Sequence, residues 1–333
     1  VAPSGTFDLN GLSDAIGALT LQRGDNVAAT VNTGAGTLTL GGTVTVQNAG
    51  ASDNSTPAAV INGLLALGAA RDFNIDDSLR IGSGDDLIVN AVISGGFALN
   101  KNGFGTMVLT GNNTYTGTTT VNTGTFVDGI SRLGGSLVLR GNGDIAQSSG
   151  ITVNTGGSLV LDNFTDFTGV IDRIGNAVGI TLAGGELVHI GSSTTAVVEQ
   201  VGSITINAAS TTAGGNSSLI RSIHNGFNVE LTGVNLARGA GGTVHFVGEG
   251  VDLGGTANRV RFTGTIANVS NNTLTWATLD QVSTAGLEFV RHDATNGIDD
   301  AAFVTSLAAA TLGTENVKLS ASEVLLAPKT INA

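Results

Sequence analysis

The sequence predicts an all-β chain wound as a β-solenoid with short irregular or helical caps, and three observations carry that prediction. First, one short unit recurs, as Val31-Asn32-Thr33-Gly34, Val121-Asn122-Thr123-Gly124 and Val153-Asn154-Thr155-Gly156. Second, each copy leads into an apolar run such as Thr37-Leu38-Thr39-Leu40 or Ser158-Leu159-Val160-Leu161. Alternation with period two marks half-buried strands of about four to six residues. Third, the separators are Asn-x-Gly, Gly-Gly and Gly-Asn, which enter the left-handed backbone region at little cost. Corners this frequent leave no room for crossover helices. Self-similarity on this scale reads as a solenoid with a coil of about 20–25 residues.

Taken in order, residues 1–55 read as the first coils. Residues 56–86 read as an irregular or capping segment, because the Ala- and Leu-rich run from Ala58 to Ala70 breaks the alternation. Residues 87–297 form the body, with repeats that degenerate beyond about residue 220. In 298–333, residues 298–312 resemble a short helix capped by Asp299 or Asp300 and ended by Gly313, followed by a closing strand from Val317 to Ala327. The four parts read as one continuous domain. In such a tube, inward Val, Ile and Leu form apolar ladders, while outward Thr and Ser stack coil on coil and corner Asn side chains bond one another.

Composition agrees with this and excludes several functions. Of 333 residues, 50 are Gly and 3 are Pro, and only 12% are charged. Collagen needs Gly at every third position with abundant Pro, and disorder needs high charge or Pro enrichment. The net charge is −12, and the three lysines, Lys101, Lys318 and Lys329, are scattered singly. A phosphate-binding surface needs clustered basic residues, so nucleic acid is not an expected partner. With no Cys, thiolate chemistry and Cys-based metal sites are excluded. No apolar run reaches the roughly 18 residues that span a membrane. The chain opens on Val1, which predicts a removed leader or an excerpt of a longer protein.

Residues 93–126, ISGGFALNKNGFGTMVLTGNNTYTGTTTVNTGTF, resemble the autotransporter-associated β-strand repeat of bacterial surface proteins. The resemblance rests on Ile93-Ser94-Gly95, Lys101, Gly103, Gly105, Thr106, Met107, Leu109, Gly111, Asn113, Tyr115, Gly117, Thr120, Val121, Asn122 and Gly124. Met107 and Phe126 stand where Leu is usual, and both stay apolar. The resemblance implies a right-handed parallel β-helix in a secreted or surface-displayed protein. It implies a structural role for Lys101, Gly103, Gly105, Gly111, Asn113, Tyr115, Gly117, Val121, Asn122 and Gly124. Looser echoes occur at residues 7–21, 163–169 and 184–190.

Groups that could carry chemistry are few. Gly82-Ser83-Gly84-Asp85-Asp86-Leu87-Ile88 resembles half of a calcium-binding repeat, but calcium wants six or more oxygens from stacked copies, so a solvated turn is the preferred reading. Acidic pairs occur at Asp76-Asp77, Asp85-Asp86 and Asp299-Asp300. Coil stacking could bring Asp77 beside Asp86, as glycoside hydrolysis requires, yet only Arg71 and Arg80 are near and no sugar-stacking ring is. His189 and His245 read as outward surface residues, and His224 and His292 lie far off, so no metal site is expected. Tyr115 reads as a stacking residue of the repeat and Trp276 as a core or edge filler. Glycan acceptor triplets begin at Asn54, Asn112, Asn163, Asn216, Asn268 and Asn271.

The expectation is a non-enzymatic extracellular structural protein with no cofactor, a fibre subunit or stalk-like adhesin passenger. Self-association would proceed by end-to-end stacking or by exchange of residues 1–12 or 317–333, with surface glycans as further partners. The alternatives are a polysaccharide lyase or hydrolase of the β-helix type and a non-catalytic carbohydrate-binding module.

Overall fold

The computed structural model describes residues 1–49, 57–78, 84–123, 135–164, 172–209, 217–270, 273–283 and 287–300, and the backbone of 303–304 and 316–317. Among these residues every regular element is a strand, and the chain winds into a parallel β-solenoid. A long sheet runs the length of the body. Its parallel path takes Thr6–Asp8, Thr30–Leu40, Ala59–Leu67, Leu87–Val89, Met107–Leu109, Ser136–Arg140, Ser158–Asp162, Glu186–Ile190, Ser218–Ile223, Val244–Glu249 and Thr273–Asp280 in chain order. A second sheet does the same from Leu19–Gly24 through Leu99–Asn102 and Thr119–Val121 to Leu236–Arg238.

The third face is less regular. Residues 14–16 pair with 38–40, residues 38–40 with 65–67, and residues 64–66 with 92–94. The row continues where Thr114 N donates to Ile93 O at 2.8 Å and Ile145 N to Arg173 O at 2.8 Å. It ends in a regular three-stranded sheet of Val197–Val201, Val229–Gly233 and Asn258–Phe262. Between the faces lies one apolar core from Leu9 to Ile298.

Register explains the core. In the long sheet Val31, Ile61, Val89, Leu109, Leu139 and Leu161 are successive partners and all point inward. The second sheet has the outward polar column that the sequence predicts, Thr120, Thr152, Thr181 and Thr205. Corner Asn ladders form as well. Asn102 Nδ2 donates to Asn74 Oδ1 at 3.0 Å, Asn122 to Asn102 at 2.9 Å and Asn154 to Asn122 at 2.6 Å. The long sheet differs, because its outward column is aliphatic: Val60, Ile88, Val108, Val138, Val160 and Val188. Stacked β-branched side chains support each other along a ladder, so the strands read apolar-apolar-apolar rather than alternating.

Four expectations are corrected. Coil length is not 20–25 residues, since successive Asn-ladder partners lie 28, 20 and 32 apart. Only ladder positions fix the register, and loop closure grows slowly with length, so corners absorb insertions. The capping segment expected over 56–86 contains Ala59–Leu67, a strand paired on both sides, and Arg71–Ile75. Gly63, with φ of 98°, lets that strand bend beneath Thr33 and Gly34, which hides the alternation in the sequence. The helix expected over 298–312 is contradicted at both described places. Gly297–Asp300 pairs antiparallel with Glu288–Asp293, and Phe303–Val304 pairs with Asn316–Val317. The rest of that helix, and the closing strand beyond Val317, lie outside the described residues. Residues 1–12, expected as an exchangeable arm, are used within the chain. Thr6–Asp8 pairs with residues 30–32, and Val1 O accepts from Gln22 N at 3.0 Å.

Candidate functional site

The repeat stretch is one coil of the body, and its polar residues fix the coil internally and tie it to its neighbours. Lys101 faces inward, between Phe73 and Val121 in register, and is fully buried. Its Nζ donates to Gly103 O at 2.7 Å. Burial lowers the Lys101 ammonium to about 7, against the opposing pull of Asp86 and Asp77. Asn113 does what a strand backbone does elsewhere: its Oδ1 accepts from Ile93 N at 2.8 Å in one coil and its Nδ2 donates to Asp144 O at 2.9 Å in another. Tyr115 is buried, and its hydroxyl pairs with Thr119 Oγ1 at 2.7 Å. Thr119 in turn meets Ser148 Oγ at 3.1 Å, and Ser148 donates to Gly117 O at 2.9 Å. Burial raises the Tyr115 phenol well above its ordinary value.

The glycines answer to close approach. Gly103 has φ of 85°, and a Cβ there would lie 2.3 Å from Ile75 O. A Cβ on Gly117 would lie 2.1 Å from the carbonyl carbon of Phe97. Gly105 and Gly111 back onto Asp76 and Ala91 in the same way. Val121 points inward from the second sheet, in register with Lys101 and Val153, and Asn122 continues the Asn ladder. Gly124 lies outside the described residues.

Two buried ionic groups were not legible in the sequence. Arg23 is fully buried and reaches Asp86 through Nη1, Asn48 Oδ1 at 2.7 Å and Asp76 O at 2.8 Å. Asp86 also accepts from Thr106 N at 2.6 Å and Ser78 N at 3.2 Å. Burial pushes the Asp86 carboxyl up, and the Arg23 guanidinium acts against it. Asp86 is therefore not a turn residue in solvent but a buried acid, and Asp77 bears on it electrostatically. Asp85 is turned instead to Arg140, whose Nη1 lies 2.8 Å from its Oδ2, while Arg140 Nε holds Asp162 at 2.8 Å.

The second group centres on Arg173, also fully buried. Its Nε donates to Asn163 Oδ1 at 3.0 Å and its Nη1 to Gly141 O and Gly143 O at 2.9 and 2.8 Å. Glu199 accepts from the N–H groups of Arg173 and Ile174 at 2.9 and 2.8 Å, and burial pushes its carboxyl up to about 8. Asn113, Asp86 and Glu199 thus share one task. Each accepts a backbone N–H that a neighbouring strand would otherwise take, because a buried unpaired N–H is costly.

The histidines correct another expectation. His189 is fully buried, not outward, because register sets it between Leu161 and Ser222. His245 is half-buried on the outer face, with Nδ1 2.9 Å from Thr278 Oγ1. Among the described residues no group of three or more His, Asp or Glu side chains converges on a metal position. Trp276 fills core: its Nε1 donates to Ala267 O at 2.9 Å, and Arg238 lies 5.5 Å above its ring. Of the glycan acceptors, Asn163 is fully buried and cannot take a sugar, whereas Asn112 and Asn268 are exposed. Among the described residues no helix is long and apolar enough to cross a membrane.

A three-faced parallel tube with a largely aliphatic interior, crossed by a few buried polar groups, defines a β-solenoid. Residues 99–127 match the family model described as passenger-associated-transport-repeat. That match covers a single coil, from Leu99–Asn102 to beyond Thr119–Val121. The repeat points to a structural role and to a secreted or surface-exposed protein. No curated protein and no solved structure matches the chain.

Proposed function

We propose that this chain is a non-enzymatic rod in the passenger of an exported bacterial surface protein, acting as a stalk or fibre element. The observation that carries the reading is the position of the matched repeat. Its Lys101 and Tyr115 bond within the coil, at Gly103 O and Thr119 Oγ1, and its Asn113 bridges to the coils on either side, so the repeat works as a stacking unit rather than a substrate site. The two ends support a directional rod. At one end Thr6–Asp8 and Asp14–Ile16 are paired on one side only among the described residues, which leaves edges that another coil can extend. At the other end Thr273–Asp280, Glu288–Asp293 and Gly297–Asp300 pair antiparallel across the last coils.

Eleven strands stacked at about 4.8 Å in the long sheet give a rod roughly 50 Å long. Electron microscopy of the purified chain across a concentration series tests the assembly. Short rods that lengthen with concentration by whole multiples support end-to-end stacking through the open edge. Compact particles of any other outline, or turnover of neutral or acidic polysaccharides by the purified chain, would overturn the reading.

A further inference from the structure

The inward column of the long sheet is aliphatic from Val31 to Leu161 and then changes character. The next two positions are His189 and Ser222, register partners that point into the solenoid and are fully buried. Neither ring nitrogen of His189 has a hydrogen-bond partner among the described residues, and neither does Ser222 Oγ. Asn258 reaches the same region from the third sheet. Its Nδ2 donates to Ser222 O at 3.2 Å and to Val251 O at 2.7 Å, and its buried Oδ1 is also unpartnered. An imidazole, a hydroxyl and an amide oxygen therefore share one stretch of the interior with unspent donors and acceptors.

Folded proteins rarely leave such groups dry, and buried polar clusters with several convergent partners are where ordered water is held. We propose that His189, Ser222 and Asn258 form an internal water-binding site in the lumen of the solenoid. The chemistry selects water over an ion. A lone imidazole is a poor metal site, and the guanidinium of Arg173, which bears electrostatically on His189, disfavours a cation. An anion would need a donor from Arg173, whose guanidinium is already spent on Asn163, Gly141 O, Gly143 O and Asp162 O. A neutral imidazole with one donor and one acceptor matches a water molecule on each side. The site explains how the aliphatic column can be interrupted without a matching change in backbone register. It is independent of the rod reading.

Two measurements on the intact chain test it. A crystal structure at solvent-resolving resolution should show an ordered water about 2.7–3.2 Å from a His189 nitrogen and from Ser222 Oγ or Asn258 Oδ1. Nitrogen-edited NMR should show magnetisation transfer from water to the His189 ring. Imidazole nitrogens packed only against carbon, with no solvent peak and no transfer, would overturn the assignment. The variant Ser222→Ala should keep the fold and weaken the water signal at His189. An unchanged signal there would place the water elsewhere and also overturn it. If that variant does not fold, the wild-type density and transfer decide.

Discussion

Replacing Arg23 with Met removes the guanidinium that holds Asp86, Asn48 and Asp76 O together across three coils. Met fills a similar apolar volume, so the strand Leu19–Gly24 keeps its packing. What remains is a buried carboxylate held by the N–H groups of Ser78 and Thr106 alone. Breaking one side of a buried ion pair costs about 3–5 kcal/mol. Asp86→Ala leaves the guanidinium uncompensated and orphans Thr106 N, so its cost falls in the same range of about 3–5 kcal/mol. Removing both charges abolishes the mutual penalty, and the double variant should lose about 2–3 kcal/mol less than the sum of the singles. The assay is urea unfolding of all four proteins by circular dichroism, with amide exchange of Leu87–Val89 as the local readout. Additivity within about 0.5 kcal/mol would refute the reasoning, because residues 63 apart in sequence would then act independently. A loss below about 1 kcal/mol for Arg23→Met would refute it too, since a pair that weak belongs to exposed surface.

The fully buried His189 is lowered to about 3 by burial, with Arg173 acting the same way, against 6.5 when unfolded. Its folded form is neutral, so its contribution is complete above pH 6.5 and is lost as pH falls toward 3. At pH 5 the loss is about 2 kcal/mol by proton linkage, and stability against pH should lose that part of its acid slope in His189→Leu. Asn113→Ala leaves Ile93 N and Asp144 O without their partner and should cost about 2–4 kcal/mol in denaturant melts, most of it kept in Asn113→Val. Gly117→Ala drives a Cβ into the backbone of Phe97, so it should cost at least about 1–3 kcal/mol and raise proteolysis near that corner. Leu139→Ala should cost about 2–5 kcal/mol from the inward column. Calorimetry or denaturant melts check each of these against the wild type.

The strand rhythm was readable in the residues because side-chain direction repeats every two positions. The Asn ladder followed from the recurring Val-Asn-Thr-Gly unit, since stacked identical corners bring identical amides together. Lys101, Asn113 and Tyr115 could be picked out only because a long motif carries them. His189 was misread for a definite reason. In Glu186-Leu187-Val188-His189-Ile190 three apolar residues adjoin the histidine, so alternation leaves two phases open. Pairing with Leu159 and Leu161 chooses the phase that buries it. The Ala59–Leu67 strand was hidden in the same way, by a glycine bend and a composition that suits helices equally well.

Sequence alone determined the fold class, the aliphatic interior, the polar corner ladders and the repeat at its centre, because these depend on local period and turn chemistry. Only the tertiary structure decided which residues meet across coils. Arg23 finds Asp86, Arg173 lies beside Glu199, and His189 meets Ser222 because coil lengths vary while ladder register does not. An irregular insertion leaves no periodic trace, yet it sets the partner of every buried charge that follows it.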